Sequence, residues 1–257
     1  MATAGAVGLT AMALDSTNAA AAAASKREYI ELRTYTVKDD DKKAKLIAAL
    51  DAALIPALNA QGIKSVGVLS ALESETNFQQ TVFVIFPHKT LESATTVAAK
   101  LLADEKFMKN GGAFFEGTSK DPLYVTYESA LLYGFENCPT IETPVSGKDR
   151  LLQIRYYRSW NIDKNAKKVH MFDQGGELPL FRKTGMNPVF FGDTVFGTKM
   201  PNLTYMLGFE SDDARKAAWK TFVESPEWQE IKGNPMYVDT ATEIVNIFLK
   251  PSPGSQI

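Results

Sequence analysis

The chain repeats itself, and the repeat constrains its fold more than any other feature. Tyr29-Ile30-Glu31-Leu32-Arg33-Thr34-Tyr35 corresponds to Leu151-Leu152-Gln153-Ile154-Arg155-Tyr156-Tyr157. Both segments alternate apolar with polar or aromatic side chains, the two-residue period of a strand with distinct faces. The match continues in order. A helix over 42–61 pairs with one over 165–184; each carries a late proline, Pro56 or Pro179, and stops at a glycine, Gly62 or Gly185. A proline within a helix removes a hydrogen bond, and glycine supplies the left-handed cap. The prolines therefore predict a shared kink, and Gly175-Gly176 predicts a further break in the second helix.

Strands over 63–71 and 187–196 follow, then polar turns at 73–77 and 197–202, then strands over 79–86 and 203–209. Helices over 91–108 and 212–231 carry Phe107 and Trp228 at matching places, and strands over 124–133 and 242–249 close each half. The order is β-α-β-β-α-β twice, the ferredoxin-like α+β plan. Such a sheet carries its helices on one face, and the other face is here too apolar for water. The expectation is two tandem halves, 26–137 and 150–257, packed sheet to sheet as an intramolecular barrel across a linker at 138–149.

Glu31-Leu32-Arg33-Thr34-Tyr35, the late Pro226-Glu227-Trp228-Gln229, and a strand from Glu243 ending in Leu249-Lys250-Pro251 together resemble the NIPSNAP family. The first half departs from that pattern, with Asp104-Glu105-Lys106-Phe107 in place of Pro-Glu-Trp. The resemblance implies a dimeric α/β-barrel fold, with the pairing made inside one chain. The wider superfamily includes cofactor-independent monooxygenases, haem-degrading enzymes and haem peroxidases, whereas animal NIPSNAP members are associated with mitochondria, vesicles and protein partners. Fold analogy assigns no activity.

The 257 residues carry a net charge of −2 and no basic stripe, which argues against a nucleic-acid partner. The single cysteine, Cys138, rules out an internal disulfide or a Cys-pair metal site. With two histidines far apart in sequence, no metal or cofactor is expected. Residues 1–25 read either as the remnant of an export signal, with its apolar core and Ala-rich cleavage region but no positive leading segment, or as a disordered Ala-rich tail; the first predicts a periplasmic or secreted protein. No segment is long enough to span a membrane.

Arg33, Tyr35, Arg155, Tyr157, Tyr205 and His170 are the candidate ligand-binding residues. Alternation places Arg33 with Glu31 and Tyr35, and Arg155 with Gln153 and Tyr157. If Leu32 and Ile154 point at the helices, these polar residues face the space between the sheets. The guanidinium groups would then form ion pairs with Glu128 or Glu243, or clamp an anionic ligand. His88 reads as a loop residue and Trp160 as a packing residue. Two functions stay open. One is a non-catalytic binding or scaffold protein of the cell envelope, using an apolar patch or sheet edge to meet a protein partner or further copies of itself. The other is a small-molecule enzyme working in the barrel interior, such as a cofactor-independent monooxygenase.

Overall fold

The computed structural model describes residues 27–257, so the expected export signal lies outside the described residues. The first half runs β1 (Tyr29–Thr36), α1 (Asp40–Ala49), a π-helical turn (Leu50–Leu54), α2 (Ile55–Ala60), β2 (Gly67–Ala71) and β3 (Thr81–His88). It continues with α3 (Leu91–Leu102), α4 (Glu105–Asn110), α5 (Gly112–Phe115) and β4 (Thr126–Gly134). The second half runs β5 (Leu151–Arg158), α6 (Ile162–Asp173), α7 (Glu177–Lys183), β6 (Asn187–Phe196) and β7 (Asn202–Phe209), then α8 (Asp212–Glu224), α9 (Pro226–Gly233) and β8 (Glu243–Pro251).

Each long first helix begins at a side-chain cap. Asp39 accepts the Lys42 N–H and Asn161 accepts the Lys164 N–H, satisfying donors a helix start leaves free. The two prolines do different things. Pro56 follows the π-helical turn within one continuous helical run, whereas Pro179 sits in the first turn of a new helix, α7. There the break itself is made by Gly176, whose φ of 95° lies in the left-handed region. Gly176→Ala is expected to cost about 1 kcal/mol, read as a lowered urea midpoint at unchanged slope.

The strands close into one barrel in the order β1-β3-β2-β8-β5-β7-β6-β4. Within each half the order is that of a ferredoxin-like sheet. The halves are not only stacked; their edges are hydrogen-bonded. Ser70 pairs with Lys250 at the β2–β8 seam, and Tyr133 with Asp193 at the β4–β6 seam. Edge pairing satisfies backbone groups that stacking alone would leave open. No strand edge of the described barrel is left free for association.

Three apolar layers result. Ile30, Leu32, Phe83, Ile85, Leu132, Ile154, Met206, Ile247 and Leu249 fill the barrel interior. Tyr35, Val82, Val84 and Phe86 pack against the first half's helices, and Tyr157, Phe191, Tyr205 and Leu207 against the second half's. Leu32 and Ile154 thus point inward, not at the helices as the sequence reading supposed. The connector is well anchored: the Asp173 carboxylate accepts the Glu136 and Asn137 N–H groups at 2.8 and 2.9 Å. Cys138 is buried there, and burial pushes its thiol up to about 12, so it carries no thiolate at neutral pH.

Candidate functional site

Because Leu32 and Ile154 face inward, Arg33 and Arg155 face outward, into the compartments between sheet and helices. Their expected partners are elsewhere: Glu128 and Glu243 line a cavity of about 220 Å³ at one end of the barrel. That cavity also holds Tyr156, half-buried and without a hydrogen-bond partner among the described residues, and Arg158, which lies 3.9 Å from Glu243. None of the six candidate residues lines it.

In the first half, Arg33 is neutralised by its own strand. Its Nε donates to Glu31 Oε1 at 2.5 Å, and the guanidinium lies over the Phe86 ring at 4.9 Å. Tyr35 stacks on Tyr127 nearby. His88, far from being a loop residue, ends β3 with no exposure and bonds to Glu31 Oε2 at 2.9 Å. Burial alone would raise the Glu31 carboxyl, but bonds from His88, Arg33 and Ser129 hold it at about 2.

The second half has the same strand without that neutralisation. Gln153 stands where Glu31 stands in the repeat, and its amide is engaged by Asn246 and Trp219. Arg155 therefore has no carboxylate on its strand and makes no salt bridge among the described residues. It sits opposite Tyr205 in the β5–β7 register, over the rings of Tyr157 and Trp219 at 5.2 and 4.9 Å. The Tyr157 and Tyr205 hydroxyls are 3.5 Å apart.

Two further charged residues complete this compartment, and one of them, Lys168, belongs to the Lys167-Lys168 pair that reads in the sequence as a solvated helix face but is buried here. Lys168 on α6 lies 4.7 Å above the Phe172 ring and 5.1 Å above Tyr157, and its Nζ is 4.0 Å from Glu177 Oε2. Glu177, in the first turn of α7, is only 3% exposed. Burial raises its carboxyl to about 7, against the pull of Lys168 and Arg155. Burial likewise lowers Lys168 and lifts Tyr157 and Tyr205. Glu177 Oε2 and Arg155 Nε are buried without a hydrogen-bond partner. Native interiors seldom leave charged groups so, because each forfeits its hydration.

Four of the six candidates thus fall in the second half, and Arg155, Tyr157 and Tyr205 converge. His170 stands beside them rather than among them: its Nδ1 meets the Tyr237 hydroxyl at 2.9 Å. The replacement of Glu31 by Gln153 between the repeats was the sequence signal for an unbalanced cation. Lys168 and Glu177 gave no such signal, since charges on helices usually face solvent.

The architecture and site define a closed eight-stranded α/β barrel made by two βαββαβ halves of one chain, with a buried acid–base cluster under the helices of the second. Solved structures share that fold. A candidate monooxygenase from Lactobacillus acidophilus NCFM superposes with a TM-score of 0.57 at 10% identity, over 88% of this chain and 94% of that one. An anthrone oxidase-like protein superposes with a TM-score of 0.53 at 11% identity, over 89% and 93%. A NIPSNAP-like domain protein from Burkholderia xenovorans matches 41% of this chain and 88% of its own, at 17% identity and a TM-score of 0.37. The NIPSNAP family profile matches residues 152–256, in the second half of the chain. No curated protein matches the sequence significantly.

Proposed function

We propose that this protein binds a small acidic organic molecule, a carboxylic acid or phenol, in the sheet–helix compartment of its second half, and moves a proton on it. The observation that carries this reading is the pair of orphaned groups, Glu177 Oε2 and Arg155 Nε, in one aromatic-walled compartment. Arg155 and Lys168 against a single carboxylate leave an excess positive charge there, which an anionic ligand would balance. Arg155 as a residue is half-buried, although its Nε is enclosed. A carboxyl titrating near 7 can exchange protons in either direction at neutral pH. Arg155 and the Tyr205 hydroxyl are placed to stabilise the resulting enolate or phenolate. With dioxygen as co-reactant, such an anion is the form consumed in cofactor-independent monooxygenation; of the fold neighbours, one is named a candidate monooxygenase and another an anthrone oxidase-like protein.

The test is a thermal-shift and fluorescence titration of the protein with a panel of aromatic carboxylic acids and phenols. Arg155→Met is expected to weaken binding by about tenfold or more, the loss of one charge-assisted contact. Tyr156→Phe, in the barrel-end cavity, is expected to leave it unchanged. The reverse pattern would move the site into the barrel.

A second reading keeps the protein as an envelope scaffold, exported by the segment at its N-terminus. Trp160, Ile162, Met236, Val238 and Ile244 are exposed, Ile162 at 81%, and several meet where the Trp160 indole bonds the Asp239 carbonyl and Lys164 the Val238 carbonyl. Trp160 is thus a surface residue, not a packing one. An apolar group of this kind suits a protein partner. Pull-down by the native chain that disappears with Ile162→Asp would favour this reading.

A further inference from the structure

A separate feature of the first half has no part in the compartment above. Ser93, the third residue of α3, presents its hydroxyl to His88 Nδ1 at 2.8 Å, and His88 Nε2 faces Glu31 Oε2 at 2.9 Å. Three residues from three elements therefore stand in the serine–histidine–carboxylate order. The fold makes this alignment. His88 and Glu31 are diagonal neighbours on the paired strands β3 and β1, since His88 opposes Tyr29 in the register. The short β3–α3 turn, capped by the Thr90 side chain on the Ser93 N–H, returns Ser93 over the imidazole.

The protonation pattern is set by the same contacts. Glu31 is held ionised and acceptor-only, so the hydrogen of its bond to His88 lies on Nε2. Nδ1 faces the Ser93 hydroxyl, the position a general base takes. Glu31 is itself fixed by Ser129 and Arg33, which hold the carboxylate against rotation. The imidazole is fully buried, while Ser93 is half-buried and lines an open pocket of about 390 Å³. That volume is within the range of small-ligand sites.

The pocket is charged. Lys64, Lys89 and Lys100 line it, all exposed, with one carboxylate, Glu28. Glu28 already accepts the Ile141 N–H. The pocket thus carries a net positive charge beside the serine, and the first turn of α3 adds the positive end of a helix dipole.

We propose that Ser93, His88 and Glu31 form a second, hydrolytic site, cleaving esters of small acids that carry another anionic group. Ser93 Oγ attacks the acyl carbon while its proton passes to His88 Nδ1. The ester C–O bond breaks, and the leaving alcohol takes that proton. Water then attacks the acyl-serine, again through His88, releasing the carboxylic acid and restoring Ser93. The lysines hold the distal anion, and charge on the tetrahedral oxygen develops beside the first turn of α3.

The test uses a fluorophosphonate probe on the full chain, followed by peptide mapping, with para-nitrophenyl acetate and para-nitrophenyl hemisuccinate as neutral and anionic esters. The expected result is one adduct on Ser93, lost in Ser93→Ala, a change on a half-exposed helix position that alanine suits. The anionic ester is expected to react faster than the neutral one by about tenfold or more. That preference should collapse in the Lys64→Gln/Lys100→Gln variant, whose altered side chains are exposed. A folded protein whose Ser93 stays unlabelled and which hydrolyses neither ester above the buffer rate overturns the site. Labelling of Ser93 with equal rates on both esters overturns the substrate class.

Discussion

Glu31→Gln is expected to lower the unfolding free energy by about 3–5 kcal/mol, because it strands the Arg33 guanidinium in a nearly closed site. Arg33 is only 8% exposed, and Glu31 is the one carboxylate it contacts among the described residues. His88 and Ser129 would also exchange a charged acceptor for a neutral amide. Urea unfolding at pH 7 reads the loss. The double variant Glu31→Gln/Arg33→Met should recover much of it, since a paired charge replaced by apolar bulk is often close to neutral. A single-variant loss below about 1 kcal/mol would mean that solvent, not Glu31, compensates Arg33.

The same pair sets an acid limit. The Glu31 carboxyl is held at about 2 in the fold against 4.5 as its ordinary value. A depressed carboxyl stabilises the fold above the ordinary value, and that contribution is lost as pH falls through the window from 4.5 towards 2. The wild type should lose stability across that window more steeply than the double variant.

Glu177→Gln is expected to act in the opposite direction on pH dependence. Burial raises this carboxyl from 4.5 to about 7, so the fold favours its protonated form. A raised carboxyl contributes stability that is complete below the ordinary value and is lost as pH rises through the folded one. The wild type should therefore soften between pH 4.5 and 7, by roughly 3 kcal/mol from this group. Lys168, Arg155, Tyr157, Tyr205 and Tyr237 are the titratable or charged groups that act on it or are acted on by it. The amide of the variant stays neutral throughout, so its melting temperature should be flatter over that range. Its capacity for proton exchange on a bound acid should fall by at least about a hundredfold, the usual contribution of a placed acid or base. A variant that keeps the wild-type pH slope would show that Glu177 is ionised in the fold.

Much of this arrangement could be read from the residues. Alternation in 29–35 and 151–157 gave strands, the glycines at 62 and 185 gave helix ends, and their recurrence gave the βαββαβ plan twice. Where local sequence erred, a local cause was usually present. Pro179 read as a kink because Gly176, three residues earlier, had already ended the helix and left proline the tolerated first turn.

The faces of the strands were a different matter. Alternation says that Leu32 and Arg33 point to opposite sides, but not which side is the barrel interior. In a closed barrel jacketed by helices both faces are buried, so hydropathy loses its power to tell inside from outside. Leu32 and Ile154 went inward with the other aliphatic side chains, which pack a narrow interior at high density. Arg33 and Arg155 were thereby sent under the helices. The sequence alone determined the elements, their order and their duplication, since period, caps and breakers act over a few residues. The tertiary structure decided which carboxylate meets which cation, that Ser93 returns over His88, and that Lys168 and Glu177 are buried beside Arg155. Those pairings join residues far apart in the chain, and only barrel closure and helix packing fix their distances.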